Sequence, residues 1–279
     1  MGSAGVSISF SLEVMRSICS ALETRSVKSM VTPRMSARMR STASAPLGST
    51  KYPEVSPMEV CAEREHKARE ESVSDLAVVR SKGNEERLPL IIVLHGNMQN
   101  LPICQEDWRG AEWQGFDLAF VRSSQLTFSD AFVWTDLEVG ARDLGEQLRV
   151  LKDRGELDDR KVIMAGFSAG ARMALHAVMT GMVKADGMVL VGPWLPEMDK
   201  WSAAIKKMGD HMPGAHIICG DQDADCLPGA KLLADTLGLM GRPCQMRVPA
   251  GLAHEYPDDF VPTLRTAIEA VIGKGSEGN

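Results

Sequence analysis

The chain has 279 residues, 44% of them hydrophobic and 24% charged, with a net charge of -6; this is the balance of an ordinary globular protein, long enough for one domain with a substantial core. The acidic balance excludes a nucleic-acid surface, which needs clustered Lys and Arg, and no apolar run approaches the ~18 residues of a membrane helix. The six cysteines (19, 61, 104, 219, 226 and 244) have neither CxxC nor His/Cys ligand spacing, so they read as reduced, mostly buried thiols of an intracellular protein; a cytoplasmic location is expected, with no metal and no cofactor.

Residues 1–55 form a basic extension rich in Ser and Arg, in which Glu13 and Glu23 are the only acids up to Thr50. Such a segment reads either as a poorly ordered tail or as an organelle transit peptide, which would move the protein to a mitochondrion or plastid. Residues 56–74 link it to the domain, with a charged surface helix expected over "SPMEVCAEREHKAREES" (56–72).

From residue 75 to 279 a single domain follows, built on alternating strands and helices. "DLAVV" (75–79) is a short strand candidate, and "PLIIVLHG" (89–96) is apolar on both faces, as a central parallel strand requires. "FDLAFVRSSQ" (116–125), "KVIMAG" (161–166), "GMVLVGP" (187–193), "AHIICG" (215–220) and "CQMRVPA" (244–250) repeat the type. Between them, Leu137, Ala141, Leu144, Leu148 and Leu151 make one apolar stripe at helical spacing, and further helices are expected over 230–240 and 260–272. Alternation of this kind predicts an α/β fold: a mostly parallel central sheet covered by helices on both faces. Ligands then bind beyond the carboxyl ends of the strands.

Chemistry is concentrated at those ends. "AGFSAGAR" (165–172) places Ser168 between a strand and a helix with Gly166 and Gly170 around it, the context of a nucleophile elbow. A serine hydroxyl needs a base, and the expected chain order is Ser, then Asp or Glu, then His. His176 is carried away along the helix leaving the elbow, and His211 and His216 precede the last acid-bearing loop. Only His254, in "PAGLAHEYPDDF", satisfies the order. "GDQDADC" closes the strand before it; Asp223 is the favoured acid and Asp225 the runner-up, since Asp225 is equally suited to capping the next helix. A calcium reading of the same acids fails, because the EF-hand loop needs Gly where Cys226 stands and Glu where Leu232 stands.

An oxyanion needs two donors: the N–H of Ala169, after the nucleophile, and one from "HGNMQN", where Asn97 is the first choice and Met98 the next. Met98, Trp134 and Trp194 also follow strands and are candidates to line a substrate pocket. About twenty residues separate "GPWLP" from "AHIICG", too few for a large helical lid, so the cleft is expected to be open.

"LHGN", "GFSAG", "GDQD" and "GLAHEYP", in this order over residues 75–273, resemble the phospholipase/carboxylesterase group of α/β-hydrolases, which includes the acyl-protein thioesterases. The resemblance implies a triad of Ser168, Asp223 and His254, with Asn97 and Ala169 as the oxyanion hole. The chain departs from the group's usual Gln-Gly-Gly at Ala169-Gly170-Ala171, so fine specificity does not carry over. The function implied is a serine hydrolase that cleaves small or medium acyl esters or thioesters through an acyl-enzyme. A peptidase or acyltransferase would use the same triad, and a non-catalytic hydrolase-like binding protein is the alternative of another class. The oligomeric state is not legible in the sequence.

Overall fold

A computed structural model describes residues 76–81 and 88–272; the expectations for residues 1–55 and 56–74 lie outside these. Seven strands form one sheet: β1 (Leu76–Val79), β2 (Leu90–Leu94), β3 (Asp117–Val121), then, after a small hairpin of β4 (Leu126–Phe128) and β5 (Ala131–Phe132), β6 (Val162–Phe167), β7 (Gly187–Val191), β8 (Gly214–Ile218) and β9 (Cys244–Arg247). Their order is β1-β3-β2-β6-β7-β8-β9. Only β1 is antiparallel to its neighbour, and the remaining pairs are parallel. β2 is fully buried, Leu90 to Leu94, because helices cover both faces of the sheet there.

The two-residue alternation of the strands sorts their side chains into two cores. On one face Leu90, Ile92, Leu94, Met164 and Leu190 meet the helices α2 (Leu137–Asp153), α3 (Ala169–Met179), α4 (Met198–Met208) and α5 (Leu227–Leu239). On the other, Ile91, Val93, Ile163, Ala165 and Val189 meet α1 (Leu101–Asp107), a 3-10 turn at Ala111–Gln114, and α6 (Phe260–Ile272). α2 begins at Asp136, whose carboxylate accepts the N–H groups of Glu138 and Val139 and so satisfies two of the helix's unpaired donors. At the amino ends of the strands, buried Arg160 bonds Asp117 at 2.6 Å and the Leu88 carbonyl at 2.6 Å, closing that edge without leaving an unpaired charge.

The sheet reverses direction of growth between β2 and β6: the chain moves from β2 outward to β3, then returns to the other side of β2. Such a switch point opens a crevice at the carboxyl ends, and here it falls between "HGN" and "GFSAG". The connection from β7 to β8 holds α4, which is not a lid. Met198 and Ile205 bury one side of it in the core beside α5.

Candidate active site

Three loops at the switch point bring the candidate residues together. Ser168 stands between β6 and α3 with φ 55° and ψ -119°, a left-handed conformation that non-glycine residues rarely adopt. Its backbone is held on both sides: the Ser168 N–H donates to the Val191 carbonyl (2.9 Å), and its carbonyl accepts the N–H groups of Arg172 (3.2 Å) and Trp194 (3.3 Å). The turn is tight enough that a Cβ on Gly170 would collide with the carbonyl oxygens of Leu94 (2.5 Å) and His95, which is why glycine stands there. α3 starts directly after Ser168, so its N-terminal dipole favours negative charge beside the hydroxyl.

His254 Nε2 lies 2.8 Å from Ser168 Oγ, and His254 Nδ1 lies 2.6 Å from Asp223 Oδ2. Asp223 is buried, and it is Asp223 that faces His254; Asp225 is half-buried. Burial alone would push the Asp223 carboxyl up. The hydrogen bond and charge of His254, with the donors of Cys226, outweigh that and hold it below the usual carboxylate range. The Cys226 N–H reaches Asp223 Oδ1 at 3.3 Å, and the Cys219 thiol lies 3.7 Å from Oδ2. Burial, reinforced by the charge of Asp223, raises both thiols, Cys219 to about 12 and Cys226 still further, so both stay protonated. Cys104, Cys219 and Cys226 are buried and Cys244 half-buried, all as free thiols. Among the described residues, the one cluster of three potential metal ligands is Asp223, Cys226 and His254, which overlaps this hydrogen-bonded line.

The acid and histidine loops are stitched together along their backbones. Asp221 N–H donates to the Pro249 carbonyl (3.2 Å) and Gln222 N–H to the Leu252 carbonyl (3.0 Å). A Cβ on Gly220 would overlap the Leu252 carbonyl, so this approach requires glycine. Phe167, the residue before the serine, completes the support: its ring lies 4.8 Å from that of His254 and 4.9 Å from that of Tyr256, which stacks on it.

Asn97 and Ala169 present backbone N–H groups with no hydrogen-bond partner among the described residues. The other donors of the Asn97 loop are taken. Met98 N–H donates to the Phe132 carbonyl (2.8 Å), and Gln99 N–H to the Gly96 carbonyl (3.3 Å). Met98 is therefore not the alternative donor that the sequence offered: its strained turn (φ 66°) aims its N–H at the hairpin.

The pocket candidates separate in the same way. Trp134 is fully buried, with its indole N–H donated to the His95 carbonyl (2.9 Å) and its backbone N–H to Asn97 Oδ1 (2.8 Å). It does not line a cleft, and instead supports the loop from beneath. Trp194 is half-buried above α3, with the Arg172 guanidinium over its ring and Glu197 paired to that guanidinium through two bonds. Met98 is half-buried beside Thr127 of the hairpin, whose hydroxyl points at its sulfur (3.5 Å).

Sequence reasoning passed over Gln99, whose Oε1 accepts the Gly96 N–H (2.6 Å), and Asp221, whose Oδ1 accepts the Gly251 N–H (2.7 Å). The proximity of Gln99 to the His-Gly pair was the one available signal.

Comparison with known proteins agrees with the architecture. Residues 91–272 match the model of the phospholipase/carboxylesterase family. A crystal structure of an uncharacterised Bacillus cereus ATCC 10987 protein is 33% identical, with a TM-score of 0.63 over 78% of this chain and 69% of that one. Esterase PE8 is 15% identical (TM-score 0.59; 70% of this chain, 97% of that one), and Zea mays acyl-protein thioesterase 2 is 19% identical (TM-score 0.54; 71% and 99%). At these last identities the likeness is one of fold. No curated protein matches the chain significantly.

Proposed function

The chain belongs to the phospholipase/carboxylesterase family of α/β-hydrolases, and from that premise we propose that it is a serine hydrolase that cleaves carboxylic esters or thioesters through an acyl-enzyme. One observation carries the reading: an unbroken line from Ser168 Oγ through both ring nitrogens of His254 to a buried, ionised Asp223, beside two N–H groups with no partner among the described residues.

Each step follows from this line. Ser168 Oγ attacks the acyl carbon while its proton passes to His254 Nε2, and the carbonyl π pair moves onto oxygen. Asp223 holds the Nδ1 proton, which leaves Nε2 free to accept, and it stabilises the imidazolium that forms. The new oxyanion lies where the Asn97 and Ala169 N–H groups and the α3 dipole favour charge. His254 then returns the proton to the leaving alcohol or thiol, and the C–O or C–S bond breaks. Water repeats the sequence on the acyl-enzyme, releasing the acid and restoring Ser168.

The packed position of α4 supports access by small or medium acyl groups from solvent. The test is covalent labelling with a fluorophosphonate, followed by a panel of esters and thioesters of increasing acyl length. Labelling at Ser168 together with turnover of at least one series is the expected result. A protein that is neither labelled nor active on any member is not a serine hydrolase.

A further inference from the structure

Behind the candidate oxyanion loop lies a hydrogen-bond relay that the triad chemistry does not itself require. The amide of Gln99 spans it: Oε1 accepts the Gly96 N–H (2.6 Å), while Nε2 donates to Asp107 Oδ2 (3.1 Å) at the end of α1. On the next peptide along the chain, the Gly96 carbonyl accepts from His95 Nδ1 (2.7 Å) and from the Gln99 backbone N–H (3.3 Å). The His95–Gly96 peptide is thus held by its N–H through Gln99 and by its carbonyl through Trp134 Nε1, the Gly96–Asn97 peptide is held by its carbonyl, and the N–H of the latter, that of Asn97, has no hydrogen-bond partner among the described residues.

A primary amide has two orientations that differ little in shape and completely in hydrogen bonding. If Gln99 were turned over, its NH2 would face the Gly96 N–H, donor against donor. Asp107 selects the productive orientation, because a carboxylate can only accept and so draws Nε2 towards itself.

We propose that Gln99 is a positioning residue for the oxyanion loop, oriented by the Asp107 carboxylate so that the Asn97 N–H stays available to the reacting carbonyl. The assignment rests on the serine-hydrolase reading above. Gln99 touches no reacting atom; its side chain acts by holding the His95–Gly96 peptide, directly before the one whose N–H meets the oxyanion.

The relay has a consequence for pH. Burial pushes the Asp107 carboxyl up to about 6, donation from Gln99 opposes the rise, and the charge of Glu106 adds to it. Tyr256 and Cys104 also face Asp107, and both are held neutral by burial. Once protonated, Asp107 offers an O–H that Gln99 Oε1 can accept, and its contribution to the productive orientation is lost, so the preference weakens.

Gln99→Met keeps the side chain's length and removes its acceptor, leaving the Gly96 N–H unpaired. It is expected to lower kcat on a model ester roughly tenfold or more with KM changed by less than about threefold, because oxyanion stabilisation is realised only in the transition state. Gln99→Glu restores an acceptor but sets two carboxyl groups side by side, so they must share a proton. Its kcat relative to the parent should therefore rise as pH falls from ~8 to ~5.5, a sign that a purely structural role would not produce. Asp107→Asn should likewise gain on the parent below pH ~6, where the parent loses its carboxylate.

A Gln99→Met variant that folds with kcat within about twofold of the parent overturns the proposal. So does a Gln99→Glu ratio that is flat or falls with acid, and this second criterion decides the matter if Gln99→Met does not fold. The parent is labelled with fluorophosphonate alongside. A labelled, active parent with unaffected Gln99 variants refutes only the relay, whereas an unlabelled, inactive parent refutes the hydrolase reading itself.

Discussion

Asp221 Oδ1 accepts the Gly251 N–H at 2.7 Å, tying the loop that carries Asp223 to the loop that carries His254. The two residues stand at the carboxyl ends of β8 and β9, neighbouring strands, yet strand pairing ends at Ile218 and Arg247. Beyond that point the separation of acid and base depends on this bond and the two backbone bonds beside it. Asp221→Ala should consequently lower kcat by about three- to tenfold, with loss of about 1 kcal/mol of stability, since one exposed bond between the loops is removed, along with the local bond from Gln222 Nε2, and the two backbone bonds between the loops remain. Steady-state kinetics and urea unfolding of the variant check both numbers. Parent-like kcat would show that the backbone bonds suffice.

Ser168 stores strain, and two substitutions at this position should move activity and stability independently. Ser168→Ala and Ser168→Gly both remove the hydroxyl and should lower kcat by several orders of magnitude and abolish fluorophosphonate labelling. Only the glycine variant also relaxes φ 55°, so it should unfold about 1 kcal/mol later than the alanine variant. Equal stabilities would mean that the elbow is not strained, while labelling of either variant would move the nucleophile elsewhere.

How much of this the sequence discloses depends on whether a residue's role is set by its neighbours in the chain. β2 is legible because burial on both faces demands a continuous apolar run, and α2 because one face demands leucines at helical spacing. Ser168, Asp223 and His254 are legible through chain order, each standing at the end of a strand that periodicity already finds. The hairpin is not: Leu126 and Phe128 are exposed, and strands of three and two residues leave no alternation to read. α4 is obscured in the same way, since Met198 and Ile205 are the only residues it buries. Trp134 shows the limit most clearly. Its position after β3 suggested a cleft wall, but whether an indole faces solvent or the His95 carbonyl is decided by tertiary packing.

Asp223 and Asp225 can be separated by activity and by acid unfolding. Asp223→Asn should cost orders of magnitude in kcat, because an amide can present its NH2 to Nδ1 and favour the wrong tautomer, while Asp225→Asn should cost about threefold or less. The folded Asp223 carboxyl lies below its ordinary value, so its ionisation contributes stability above pH ~4 and loses it as pH falls through the folded value. The parent's stability advantage over Asp223→Asn should accordingly shrink in acid, measured by urea unfolding. A larger activity loss in Asp225→Asn would move the triad acid to that residue.

His95 gives the last test, because it must stay neutral for the candidate oxyanion loop to keep its shape. The ring is fully buried; its Nδ1 donates to the Gly96 carbonyl (2.7 Å) and its Nε2 accepts the Ser123 N–H (3.2 Å). Protonation of Nε2 would set two donors against each other. Burial lowers its pKa to about 4, the Gly96 carbonyl opposing and the charge of Arg122 assisting. The unfolded chain, with an ordinary histidine near ~6.5, therefore binds the proton first, and stability falls as pH drops from ~6.5 towards the folded value. The contribution at stake is of the order of 3 kcal/mol, present in full above pH ~6.5. His176 and His216 are lowered by burial too and add to the same slope, so the parent's curve alone does not isolate His95. His95→Asn removes the titration, and the gap in urea stability between parent and variant should narrow as pH falls from ~7.5 to ~4.5. If the gap stays constant across that range, His95 does not bind its proton differently in the folded and unfolded chain, and its neutrality is not what holds the loop.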